Sequence, residues 1–381
     1  MPVSRRSFFR TLGAGVAAGS VLPWSLERLA GAAVLEPPRP QESDGFVHLD
    51  SNENAYGPSE KTKEAIRAAI PVANRYPYRH YDDLTEKIAA LHHVSADQIV
   101  LGCGSQEILR VSAQAFVGPG KMLIQAAPTF EALGRYSQSV GAKVVAVPLN
   151  HEYGHDLPAM GKALSSSATL VYICNPNNPT ASLTPRQEID AFVARLPATT
   201  SVLIDEAYHH FAGESAAYVS FLERPVNDDR VVVTRTFSKV YGMAGLRLGY
   251  AVATKPTAKR LSQFLTFDSV NGIVAAAAQA ALEDQSSVQA SVQKNTDDRQ
   301  EFYNQCHARM LKPIDSHANF VMMDTHRPVA EVIEHFRKNK VLIGRRFPPM
   351  DRHVRVSLGT PEDMLQFWRV WDMMPHVDMS M

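Results

Sequence analysis

Lys239 closes the run Arg235-Thr-Phe-Ser-Lys239, and Arg247 follows eight residues later. A lysine amine can form an imine with an aldehyde, and a serine with an arginine can hold a phosphate. Three other short stretches carry groups that complement these. Asn175-Pro-Asn-Asn-Pro-Thr180 offers an amide at Asn178, and Asp205-Glu-Ala-Tyr208 offers a carboxylate and a phenol. Gly102-Cys-Gly-Ser-Gln106 is a glycine-rich turn whose backbone N–H groups would form an anion nest at a helix start. It lacks the third glycine of a dinucleotide fingerprint and the Gly-Lys-Ser/Thr ending of a P-loop.

These groups need elements to position them, and the apolar pattern supplies those elements. Segments 99–101, 121–125, 143–147, 168–174, 201–205 and 230–234 read as strands, with helical stretches at 60–70, 81–92 and 106–116. Residues 246–252 are a further apolar run. Their order argues for a mainly parallel sheet with helices on both faces. In such sheets, ligands gather at the strands' carboxyl ends. All four polar stretches directly follow a strand. The last hundred residues begin with an Ala-rich helix near 273–283 and continue through strand-like 320–323, helical 329–338, and strand-like 341–343 and 354–357. They read as a smaller α+β domain.

One cofactor accounts for the four stretches together. Pyridoxal 5′-phosphate needs an acid at its ring nitrogen, donors at its phenolic oxygen, a phosphate cradle and a lysine for its aldehyde. Asp205 suits the first role. A carboxylate about 4 Å from a pyridinium is worth roughly 4 kcal/mol at an effective dielectric near 20, or about three pKa units. Asn178 and Tyr208 suit the phenolic oxygen. Ser105, Gln106, Ser238 and Arg247 suit the phosphate.

These residues resemble the fold-type I aminotransferases of class I and II, and their wording is similar to the histidinol-phosphate aminotransferase branch. Asn52-Glu-Asn54, Gly57-Pro58, Arg75-Tyr-Pro77, Asn319-Phe320 and Val354-Arg-Val-Ser-Leu-Gly-Thr360 extend the resemblance from about residue 46 to the C-terminus. It implies that Lys239 is the imine lysine and proton shuttle, with Asp205 and Tyr208 as its catalytic partners. Thr236 joins the cofactor contacts, and Phe130 takes the place of a ring-stacking aromatic that is usually tyrosine. Arg355, Asn178 and Tyr56 would bind substrate. Tyr76 would reach the cofactor phosphate of a partner subunit in a homodimer. Ala55 and Ala181 depart from the family's usual proline and glycine. Either Arg345 or Arg346 stands where the branch has a substrate arginine. The implied reaction moves an amino group between an amino acid or amine and a 2-oxo acid. The alternatives are a decarboxylase of threonine-phosphate type and a non-catalytic binding protein on the same scaffold.

The N-terminus reads separately. Ser4-Arg5-Arg6-Ser7-Phe8-Phe9 precedes a mild apolar run, and Ala30-Gly31-Ala32 offers a cleavage site. This is the layout of a twin-arginine signal, which implies export to the periplasm, or a cytoplasmic protein if the signal is unused. The expected organisation is a signal over 1–32, an arm and helix over 33–73, a large domain over 74–270 and a small one over 271–381. Lys+Arg and Asp+Glu both number 39, so charge points to neither nucleic acid nor a membrane surface. Cys103, Cys174 and Cys306 are too few and too widely spaced for a disulfide framework. His151-Glu-Tyr-Gly-His155 spells a zinc-protease motif, but Pro148, Gly154 and Pro158 argue against the helix it requires, so no metal is expected. The pairs His92-His93 and His209-His210 suit packing or surface roles better than a shared ligand.

Overall fold

Alternation along three central strands sets the architecture. The computed structural model describes residues 45–375 apart from 214. The strands are β1 (Val47–Leu49), β2 (Ile99–Gly102), β3 (Met122–Ala127), β4 (Lys143–Pro148), β5 (Ala168–Cys174), β6 (Ser201–Asp205), β7 (Val231–Thr236) and β8 (Gly249–Val252). After a helical stretch come β9 (Lys312–Pro313), β10 (Phe320–Asp324), β11 (Val341–Ile343) and β12 (His353–Ser357). Successive strand residues point to opposite faces. Val171, Ile173, Val202, Ile204, Val231 and Val233 feed one core layer. Leu170, Tyr172, Cys174, Leu203 and Val232 feed the other. Strands buried on both faces need this continuous aliphatic character, and helices cover them.

The large sheet has the order β2-β8-β7-β6-β5-β3-β4. β3 through β7 pair in parallel, and β8 is antiparallel to both of its neighbours. β2 therefore runs with the majority, and β8 is the reversed strand. The reversal has a consequence for the site. Gly249, the first residue of β8, pairs with Gly102 and Thr236, which are the last residues of β2 and β7. Arg247 thus enters the sheet at the same end at which the parallel strands leave it. The sequence showed an apolar run here without its direction.

The C-terminal strands form a separate antiparallel sheet, β12-β10-β9, with Phe320 opposite Ser357 and Met322 opposite Arg355. β1 pairs in parallel with β11. A third core layer, built around Phe302, Phe336, Phe367 and Trp371, lies beneath these strands. The helix Gly272–Glu283 begins at Asn271, whose side chain accepts the Val274 N–H. It continues into Gln285–Ala308, a 24-residue helix that buries Val288, Asn295, Phe302 and Cys306. That narrow stripe, spaced seven, seven and four, was not evident from composition.

Candidate active site

Four loops meet at the carboxyl edge of the large sheet because the parallel strands all leave it there. They line a cavity of about 690 Å³ that also receives residues from β11 and β12 and their connection. Ser105, Gln106, Phe130, Asn178, Asp205 and Tyr208 line it, as do Thr236, Ser238, Lys239, Arg247 and Arg355.

Asp205 ends β6 on the same face as Leu203, which turns it toward Tyr172 on β5. The Tyr172 hydroxyl donates to Asp205 Oδ2 at 2.9 Å, and the Ala207 N–H donates to Oδ1 at 3.2 Å. Burial pushes this carboxyl above its usual range, while the Tyr172 bond opposes the shift. Among the described residues it has no salt-bridge partner. A buried carboxylate in that state suits a cationic ring nitrogen. Tyr172 was not singled out from sequence. The available signal was a phenol in an otherwise aliphatic strand, since a buried tyrosine hydroxyl usually finds a partner.

Lys239 Nζ donates to the carbonyl of Asn52 at 2.8 Å and lies 5.5 Å from the Tyr208 ring centroid. Burial pulls its pKa down to about 8, with help from Arg355 and against the pull of Glu53. Tyr208 accepts from Asn52 Nδ2 at 3.1 Å and from Asn178 Nδ2 at 3.4 Å. The other end of the Asn178 amide accepts from Arg355 Nη1 at 2.7 Å. Arg355 also donates to the Asp50 carbonyl, and its buried Nε has no partner among the described residues. Burial lowers its pKa to about 10. Asn52 ties the N-terminal segment to this network. It holds a left-handed backbone, its N–H donates to Ser357 Oγ, and it was read from sequence only as part of a motif.

Opposite this network, Gly104 (φ +73°) caps the helix Ser105–Phe116, and a Cβ there would collide with the Arg247 guanidinium. A Cβ on Gly249 would strike the backbone of Ser105. Both glycines allow Arg247 and the helix N-terminus to approach one another, where orphan N–H groups and the helix dipole favour an anion. Arg247 Nη1 donates to Ser238 Oγ at 3.4 Å, and Thr236 Oγ1 donates to the same oxygen at 2.9 Å. The structure thus brings together an anion cradle, a buried acid and an amine with a lowered pKa.

Other sequence expectations fall elsewhere. Tyr56 does not line this cavity. Its hydroxyl donates to Asp298 at 2.8 Å, and Lys294 lies over its ring. Tyr76 is 74% exposed and stacks on Tyr78, outside the cavity of its own chain. Of the two adjacent arginines, Arg345 lines the cavity, whereas Arg346 pairs with Asp351. His209 and His210 do not line the cavity, and burial and Arg235 hold both well below the usual histidine range. Arg235 forms a buried ion pair with Glu206 at 2.8 Å. Residues 151–154 form turns and bends, and buried His155 bonds Thr184. Among the described residues no group of three or more His, Cys, Asp or Glu could hold a metal. The three cysteines are free. Ala181 takes the left-handed conformation that glycine favours (φ +60°), and its methyl packs with Tyr208 and Phe320. The twin-arginine segment lies outside the described residues.

Comparison with known proteins agrees with this geometry. The family described as aminotransferase class I and II matches residues 44–369. A histidinol-phosphate aminotransferase of Symbiobacterium thermophilum is 37% identical over 326 residues, covering 84% of this chain and 88% of that protein. One from Carboxydothermus hydrogenoformans is 38% identical, covering 85% and 90%. The crystal structure of the Sinorhizobium meliloti histidinol-phosphate aminotransferase with pyridoxal 5′-phosphate superposes with a TM-score of 0.81. It is 26% identical and covers 86% of this chain and 92% of that one. Asp205, the anion cradle and Lys239 fit that cofactor group for group. The chain belongs to the class I and II aminotransferases, and it is a pyridoxal-phosphate-dependent enzyme that moves an amino group between an amino acid or amine and a 2-oxo acid.

Proposed function

We propose that Lys239 carries the cofactor and moves the substrate proton, and that the amino donor is histidinol phosphate or an amine of similar shape. The observation that carries the first part is the meeting of Lys239, Asp205 and the Ser105–Arg247 cradle in one cavity. The donor assignment rests on the relatives at 37% and 38% identity. When bound, pyridoxal 5′-phosphate supplies an electron-withdrawing ring that makes the substrate's Cα–H bond acidic. Asp205 keeps the ring nitrogen protonated from its buried position. Ser105, Gln106, Thr236, Ser238 and Arg247 hold the phosphate. Asn178 and Tyr208 would hold the phenolic oxygen, and Phe130 would pack against the ring. Arg355 binds the acidic group of the substrate, and Asn178 fixes its guanidinium in position. The Lys239 amine, with its pKa near 8, takes the Cα proton as a base and returns it as an acid close to neutral pH.

Tyr76 stands exposed on its own chain, in keeping with a reach into the partner site of a homodimer. Arg5-Arg6 and the apolar run after them favour export by the twin-arginine route. Fractionation of the host cell should find the enzyme in the periplasm, and an entirely cytosolic enzyme would remove that part of the reading.

The function test is direct. Purified holoenzyme is given 2-oxoglutarate and a panel of amines that includes histidinol phosphate. Glutamate and released carbon dioxide are then measured. Glutamate without carbon dioxide is expected. Carbon dioxide without glutamate, or no product from any donor, would overturn the assignment.

A further inference from the structure

Two arginines enter the cavity from the β11–β12 side, and one of them is already occupied. Arg355 and Arg345 both lie over the Phe347 ring, their guanidinium carbons 4.8 and 4.3 Å from its centroid. Arg345 adds to the lowering of the Arg355 pKa, after burial, so each guanidinium lies in the field of the other. Arg355 donates to Asn178 and to the Asp50 carbonyl, and among the described residues no carboxylate pairs with it. Arg345 Nη2 instead pairs with Glu131 Oε1 at 2.9 Å, while Nη1 donates to the Arg346 carbonyl. Glu131 directly follows Phe130, which lines the cavity. Arg135, one turn along the helix Ala132–Ser139, holds its other oxygen at 2.7 Å. The ion pair therefore ties a braced carboxylate beside the cavity to a cavity-lining guanidinium.

We propose that Glu131 is a specificity-determining residue: it occupies Arg345 in the free enzyme, so a ligand gains from that arginine only by supplying a second negative charge that competes with Glu131. A ligand with one charge uses Arg355 and leaves the bridge intact. A dicarboxylate or a phosphate monoester must draw Arg345 away from Glu131. Both partners are partly exposed, at 54% and 39% of their side-chain surface, so the competition is mild and adjustable. This inference rests on the aminotransferase reading only in taking Arg355 as the first anion site.

The test is a binding measurement on holoenzyme and needs no turnover, so its failure is separate from failure of the activity assay. Glutarate, propyl phosphate and butanoate are titrated against the cofactor absorbance of wild type, Glu131→Gln, Arg345→Gln and the double variant. Glu131→Gln should tighten glutarate, propyl phosphate or both about threefold, the scale of a partly exposed ion pair, and leave butanoate unchanged. Whichever dianion tightens identifies the source of the second charge. Against the Arg345→Gln background, removing Glu131 should bring no gain. Equal shifts for all three ligands would make the bridge a simple structural clip. No shift, or weaker dianion binding, would overturn the proposal as well.

Discussion

The floor and the rim of the active cavity are built differently. On the floor, Asp205, Tyr172, Asn178, Tyr208 and Arg355 lie within the folded core and hold one another through hydrogen bonds. At the rim, Arg345 and Glu131 are exposed or half-exposed and depend on flexible side chains. The floor groups are preorganised, so their chemistry does not wait on rearrangement, and a lost partner leaves a buried polar group unsatisfied. The rim groups exchange partners with solvent and ligand at low energy. On the proposed roles, the floor holds the reacting groups and the first anion site, and the rim adjusts which second charge is accepted.

Removing the floor's amine gives the largest expected effect. Lys239→Ala should lower kcat by roughly a thousandfold or more, since on the proposed roles it removes both cofactor attachment and the proton shuttle. A single-turnover assay with the preferred amine checks this, and near-normal turnover would move the chemistry elsewhere. Next comes Arg355→Lys. It keeps the charge but loses the planar fork that Asn178 braces, so KM for the acidic substrate should rise about tenfold to a hundredfold. An unchanged KM would show that the fork does not bind the acid.

A smaller effect probes the support beneath the floor. Tyr172→Phe removes a bond to Asp205 in a fully buried position without opening a large cavity. The charged carboxylate then loses a stabilising donor, its pKa rises further, and cofactor affinity should fall about tenfold. Equilibrium dialysis measures this, and unchanged affinity would mean that Asp205 does not depend on that hydroxyl.

The mildest effect is one of pH. Burial lowers the Lys239 pKa from 10.5 to about 8. Between those values the unfolded chain holds the proton and the folded one has lost it. This group's contribution to apoprotein stability therefore rises with pH across that window. The neutral amine is the form that attacks an aldehyde, so cofactor attachment should speed up about fivefold from pH 7 to pH 8 and then level off. A rate flat from pH 7 to pH 10 would contradict the lowered value.

How much of this the sequence revealed follows the same division. The loops after β5, β6 and β7 were legible because the strands before them are continuous aliphatic runs, and their polar groups follow at once. The direction of β8 was not legible, because four apolar residues read alike in either direction. The helix Gln285–Ala308 was missed because its buried stripe of Val288, Asn295, Phe302 and Cys306 is thin and partly polar. Tyr172 was hidden because which strand face meets Asp205 depends on register between two strands, not on spacing within one. Arg345 and Arg346 were equivalent in sequence, and only tertiary placement separated them, Arg345 over Phe347 in the cavity and Arg346 on Asp351. The bridge to Glu131 joins residues more than two hundred positions apart, and no local pattern announces it.

Attachment of the cofactor to Lys239 can be read in one measurement. Holoenzyme is reduced with borohydride, which fixes the cofactor to the lysine that bears it, and the digested chain is mapped by mass. The added cofactor mass is expected on the peptide that contains Lys239. The same mass on another lysine, or on none, would contradict it.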